Sequence, residues 1–107
     1  MSAIPQMTVQ ELKQRIDQGE APVVIDVREP FEYQICNIGA QLIPMNEVPA
    51  RLDEIPRDRE VIIQCKSGGR SQRVAEFLQQ SGYTNVANLS GGILAWAATI
   101  DPTMPTY

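Results

Sequence analysis

Short apolar runs alternate with longer amphipathic stretches along this chain. Pro22-Val23-Val24-Ile25-Asp26-Val27, Ala40 to Ile43 ending at Pro44, Val61 to Gln64, and Val86 to Leu89 are short and rich in aliphatic residues, and each is bounded by turn or polar residues. Runs of this kind predict strands buried on both faces. Thr8-x-x-Glu11 reads as a capping box opening a helix that carries Val9, Leu12 and Ile16 on one face, with Gly19 as its stop. On that helix Glu11, Lys13, Arg15 and Asp17 form a solvated face. Arg28 to Tyr33 predicts a loop and a short helix with Pro30 in its first turn. Val48 to Ile55 predicts another short helix with Arg51, Asp53 and Glu54 outward, followed by a polar turn, Arg57-Asp58-Arg59. Ser71 to Ser81 predicts a helix closed by Gly82, and Ser90-Gly91-Gly92 turns into a last helix through Ile93, Leu94, Trp96 and Ala97. Asp101 to Tyr107 holds two prolines and reads as an irregular tail. Strands alternating with helices argue for an α/β chain with a mainly parallel sheet and helices on both faces, three layers in all. Ligands bind such sheets at the carboxyl ends of their strands.

Composition narrows the chemistry. A length of 107 residues suits one domain over 1–107, with a core of about 5–98 and the tail beyond it. A net charge of −4 argues against a nucleic-acid surface. No apolar run approaches the length of a membrane helix, and Met1 to Gln6 lacks the basic and apolar regions of a signal peptide. A cytoplasmic setting is therefore expected, where Cys36 and Cys65 stay unpaired. The absence of histidine removes Cys–His and Ser–His catalysis, and two distant cysteines make no metal site, so no metal or cofactor is expected.

The chemistry gathers in Cys65-Lys66-Ser67-Gly68-Gly69-Arg70-Ser71, between the Val61 run and the helix that follows. A cysteine there lies at the end of a strand, under the unpartnered amides and positive dipole end of a helix. Gly68 and Gly69 are expected because side chains would block amides that converge on one centre. Such a thiol should ionise below its free value of about 8.5, with help from Arg70. Arg70 is the natural partner for an oxyanion, Lys66 adds positive charge at the mouth, and Ser67 and Ser71 can donate hydroxyl hydrogen bonds. An inert buried cysteine fits poorly with so many glycines and cations nearby. Cys36 reads the other way, as a packed thiol in an apolar stretch with no cation beside it.

Cys-x-x-Gly-x-Arg-Ser after a strand resembles the active-site loop of rhodanese-like sulfurtransferases. Asp26-Val27-Arg28-Glu29 with Glu32-Tyr33, then Ala40 to Pro44, then Gly91-Gly92-Ile93-Leu94-Ala95-Trp96 resemble that family's other signatures in their order, from about Met7 to Trp96. Cys36-Asn37-Ile38-Gly39-Ala40 departs from the family's Gly-His-Ile-x-Gly-Ala and is one residue shorter. The Cys-Lys-Ser-Gly-Gly-Arg-Ser loop, Ile100-Asp101 and Pro105-Thr106-Tyr107 are similar to the C-terminal rhodanese domain of enzymes that adenylylate sulfur carriers. A free-standing relative and a domain cut from a larger enzyme both fit, and the Met1-Ser2 start leans to the first.

The resemblance implies a five-stranded sheet and a thiosulfate sulfurtransferase-type activity through a Cys65 persulfide. Lys66, Ser67, Gly68, Gly69, Arg70 and Ser71 would contact substrate, and Asp26 with Arg28 would support the loop as an ion pair or hydrogen-bond set, direct substrate contact being the other reading for them. It implies a small anionic sulfur donor, with a sulfur-carrier protein or a cysteine desulfurase as protein partner. Trp96 reads as core or as a wall behind the loop. A cysteine phosphatase or arsenate reductase is the chemical rival, but such sites separate cysteine from arginine by five residues, and here four intervene. The other rival is a rhodanese-fold interaction or sulfur-relay module without turnover of its own.

Overall fold

The aliphatic run Val61–Gln64 becomes the middle strand of the sheet, buried at every position, because parallel neighbours flank it and helices cover both its faces. In this computed structural model, residues 3–107 are described. The elements run β1 (Gln6–Met7), α1 (Val9–Asp17), β2 (Val23–Asp26), α2 (Pro30–Ile35), β3 (Gln41–Leu42), a 3-10 segment (Met45–Glu54), β4 (Val61–Gln64), α3 (Gly69–Gln80), β5 (Val86–Leu89) and α4 (Gly92–Thr99). The sheet has five strands in the order β1-β5-β4-β2-β3, and every pairing is parallel.

Alternation along each strand divides the core in two. Val61, Ile63 and Cys65 join Ile25, Val27, Val74, Ala75 and Leu78 on the face covered by α3 and the 3-10 segment. Ile62 joins Met7, Val9, Leu12, Ala87, Leu89 and Trp96 on the face covered by α1 and α4. Three layers follow, and Trp96 is core. The carboxyl ends of β2, β4 and β5 all deliver their chains to one edge, where the Cys65 loop, α2 and the α4 turn meet.

Local signals explain most boundaries. Thr8 and Glu11 form the capping box of α1, and Gly19 adopts φ +75° just beyond its end. Ile16, expected on the buried face, is 39% exposed in the last turn of α1. Pro30 opens α2 at its first turn. The shortened 36–40 stretch still leads into β3, which pairs with Ile25 and Asp26 of β2. The helix expected over Val48 to Ile55 is a 3-10 segment that starts at Met45 and kinks at Arg51, φ −122°. Pro49 lies inside it and has no N–H to donate, which disfavours regular α-helix there. β1 has only two residues and carries no aliphatic run, so it was legible only through the family's five strands. α3 begins at Gly69, two residues before Ser71, which brings its first turn closer to Cys65. Met1 and Ser2, on which the free-standing reading leaned, lie outside the described residues.

Gly69 and Gly92, each near the start of a helix, meet different surroundings. A Cβ on Gly92 would lie 2.5 Å from the Lys66 carbonyl oxygen and 2.6 Å from that of Cys65, and its φ is +59°. A Cβ on Gly69 would meet nothing within 4 Å, at an ordinary helical φ. Gly92→Ala is therefore predicted to destabilise the fold by about 2 kcal/mol or more, whereas Gly69→Ala leaves stability within about 1 kcal/mol of wild type. Urea midpoints of the two variants check this, and equal midpoints would contradict it.

Candidate active site

β4 ends at Gln64, and the chain turns at once through Cys65 to Gly68 before entering α3. Gly68 caps the helix at φ +110°, a backbone angle that a side chain strongly disfavours. This turn aims amides at the cysteine sulfur. The Gly68 N–H lies 3.1 Å from Cys65 Sγ, and the Ser67 and Ser71 amides favour a negative charge there. Ser71 Oγ lies 3.2 Å from the same sulfur. Burial pushes the Cys65 thiol up, but the hydrogen bonds from the Ser71 hydroxyl and the amides of Ser71, Gly68 and Ser67 outweigh it, so the thiol lies below its ordinary value.

The loop is held from behind by α4. The first amides of that helix have no partner of their own, and Ile93 N–H donates to the Cys65 carbonyl at 2.9 Å while Leu94 N–H donates to the Lys66 carbonyl at 3.0 Å. Gly92 is small so that the two backbones can approach this closely. From β5, Asn88 adds a polar brace. Its amide donates to the Gly68 carbonyl at 3.3 Å and to Gln6 Oε1 at 3.0 Å, and its Oδ1 accepts from Ser71 Oγ. Ser71 has one hydroxyl proton and two acceptors. A neutral thiol can donate to Ser71 Oγ while that hydroxyl serves Asn88, and an anionic sulfur draws the proton to itself.

Charged groups sit beside the loop in opposed pairs. Arg70 places both terminal nitrogens on Glu32, at 2.7 and 2.9 Å, rather than over the sulfur. The hydrogen bonds from Arg70 hold the Glu32 carboxyl down at about 2, against the opposing effect of its burial and with further donors in Tyr107 Oη and the Glu29 N–H. Arg28 is wholly buried, and Asp26 takes its Nε and Nη2 while the Cys36 carbonyl takes a further bond at 2.8 Å. Asp26 and Arg28 thus brace the β2–α2 turn. Lys66 lies over the Tyr107 ring, 4.3 Å from its centroid.

The expected residues Cys65, Lys66, Ser67, Gly68, Arg70 and Ser71 come together here, but some details differ from expectation. The amides do not require Gly69 to be small, since its Cβ would point into open space. The lowered Cys65 thiol owes more to Ser71 and the loop amides than to Arg70, whose guanidinium is committed to Glu32. Cys36 is buried, but it does have a cation beside it: Arg28 Nη1 lies 3.9 Å from its Sγ. Glu32, Asn88 and Tyr107 were not singled out as site residues. A buried asparagine in Val-Ala-Asn-Leu was the one available signal for Asn88. No local pattern marks Tyr107, because its partners lie 41 to 79 positions away. Among the described residues no group of three or more metal-ligating side chains is found.

Residues 8–99 match the family model described as Rhodanese-like domain. A protein of Allochromatium vinosum named sulfurtransferase is 44% identical over 89 residues, covering 82% of this chain and 83% of the relative. A Mycobacterium tuberculosis protein named probable adenylyltransferase/sulfurtransferase MoeZ is 38% identical over 104 residues, which is 94% of this chain but 26% of that longer protein. Among solved structures, a rhodanese-like domain protein from Staphylococcus aureus superposes with a TM-score of 0.81 at 31% identity, covering 87% of this chain and 91% of the other.

Two outcomes are expected from this geometry. Ser71→Ala raises the pH midpoint of Cys65 alkylation more than Arg70→Ala does, because the serine touches the sulfur; the reverse order would contradict the assignment. Glu32 has a lowered pKa, so its contribution to stability is complete above about 4.5, where a free glutamate titrates, and is lost as pH falls towards about 2. The stability gap between wild type and Glu32→Gln, read from urea midpoints, is then wide at neutral pH and closes across that acid range.

Proposed function

This chain belongs to the rhodanese-like domain family, and we propose that it moves sulfane sulfur from a small anionic donor such as thiosulfate to a thiophilic acceptor, as a persulfide on Cys65. The observation that carries this reading is the convergence of the Ser71 hydroxyl and the Gly68 N–H on one cysteine sulfur at a strand end, with the Ser67 and Ser71 amides adding to their effect. Those donors favour the thiolate needed for attack, and the same donors can hold the terminal sulfur of a persulfide, which is also an anion.

The steps balance without a cofactor. The Cys65 thiolate attacks the outer sulfur of thiosulfate, an S–S bond forms, and the bond between the two donor sulfurs breaks with its electron pair leaving on sulfite. The Cys65 persulfide then yields its outer sulfur to cyanide or a thiolate, and the Cys65 thiolate returns. No proton relay is needed, which suits a chain without histidine. Cys65 is 1% exposed, so the donor must present a slim terminal atom. Arg70 uses two N–H groups on Glu32 and keeps others for a donor oxyanion. Asp26 and Arg28 act at a distance by holding the neighbouring turn. Residues 1–107 act as one unit in this scheme, set in the cytoplasm. A sulfur-carrier protein as acceptor, or a cysteine desulfurase as supplier, is the partner class that fits a chain resembling part of an adenylyltransferase/sulfurtransferase.

Intact-mass analysis after thiosulfate treatment tests this directly. Wild type should gain one sulfur, cyanide should remove it, and Cys65→Ser should gain none. Aryl phosphates should be left unhydrolysed, since only four residues separate Cys65 from Arg70. A wild type that stays unmodified by several sulfane donors would overturn the reading, and phosphatase activity lost in Cys65→Ser would replace it.

A further inference from the structure

The 101–107 tail forms no helix or strand, and nothing in the sulfur-transfer scheme uses it. Its Tyr107 nevertheless reaches the charged groups around the Cys65 loop. The Tyr107 hydroxyl donates to Glu32 Oε2 at 2.6 Å and accepts from Arg28 Nη1 at 2.9 Å. Its ring carries Lys66 Nζ at 4.3 Å from the centroid. Glu32 in turn holds Arg70.

The charges at this edge nearly cancel. Arg28 is matched by Asp26, and Arg70 by Glu32. Among the described residues Lys66 makes no salt bridge, so its ammonium is the unbalanced positive charge beside the loop. An aromatic face can fix an ammonium without neutralising it, whereas a carboxylate partner would cancel its charge. Burial, and then Glu32, push the Tyr107 hydroxyl up, so the ring stays neutral and remains a donor to that carboxylate. Without the ring, the long Lys66 side chain is released from one position.

We propose that Tyr107 is a positioning residue for donor recognition: its ring holds Lys66 at the mouth of the Cys65 loop and its hydroxyl ties down the Glu32–Arg70 pair, so that the site favours anionic reagents over neutral ones. This rests on the persulfide reading for its biological meaning, but not for its test. The hydroxyl and the ring do separable work. Phenylalanine at 107 keeps the face under Lys66, leucine keeps apolar bulk without that face, and alanine keeps neither.

The experiment measures alkylation of Cys65, located by mass spectrometry, with iodoacetate and with iodoacetamide, which differ in charge. Tyr107→Ala, Tyr107→Leu and Lys66→Met should each lower the iodoacetate-to-iodoacetamide rate ratio roughly two- to fivefold, and Tyr107→Phe should recover most of it. Lys66→Met with Tyr107→Ala should fall no further than Lys66→Met alone. The pH profile with iodoacetamide should stay as in wild type, because the groups that touch Sγ are Ser71 and the loop amides. KM for thiosulfate should rise by the same factor as the ratio falls, with a smaller change in kcat. A tail that only stabilises the fold would slow both reagents alike and leave the ratio unmoved, which overturns the inference even if wild type accepts sulfur from thiosulfate. A ratio that falls as expected in a protein that accepts no sulfur would sustain the role of Tyr107 and overturn the persulfide reading instead.

Discussion

The Cys65 loop depends on two hydrogen bonds from a helix that is remote in sequence. The Ile93 and Leu94 amides open α4 and would lack partners inside it; they take the Cys65 and Lys66 carbonyls. A trans peptide points its carbonyl and its following N–H in opposite directions. Pinning the Lys66 carbonyl to α4 therefore turns the Ser67 N–H the other way, to the side of the cysteine sulfur. One helix spends its orphan donors to aim the backbone of a loop, and the next helix, α3, supplies amides of its own. Gly92 is the steric condition for this arrangement, since any Cβ there would collide with both carbonyls.

Around that backbone the charged side chains act as braces more than as sources of field. Burying Arg28 with Asp26 costs desolvation that their attraction only partly returns, so the pair is better understood as fixing geometry than as adding stability. Its guanidinium also reaches the Cys36 carbonyl and Tyr107, which ties the β2–α2 turn, the stretch after α2 and the tail together. Glu32 performs the same service for Arg70. A site braced by paired charges keeps its shape while showing little net charge.

The thiol chemistry is consistent with this division of labour. Burial alone would hold Cys65 protonated, and a distant cation would compete poorly with it. Short-range donors reverse the balance because they touch the sulfur itself. The same contacts suit any anion of similar size bonded to that sulfur.

Much of this was legible in the chain. β4 and β5 followed from aliphatic runs over Val61–Gln64 and Val86–Leu89, and α1 from its capping box, because burial and capping impose local periodicities that residue types reveal. Cys65 was legible because a cysteine, glycine and cations stand together between a strand and a helix. What the sequence could not determine alone was which side chains would face each other across the fold. It left β1 unmarked, since two residues carry no period, and it made Arg70 free when Glu32, 38 positions earlier, occupies it. Asn88 and Tyr107 entered the site only when β5 came to lie beside β4 and the tail returned over α2. Local pattern reports which residues seek burial or a cap; partner choice between polar groups depends on distances that exist only after the layers have packed.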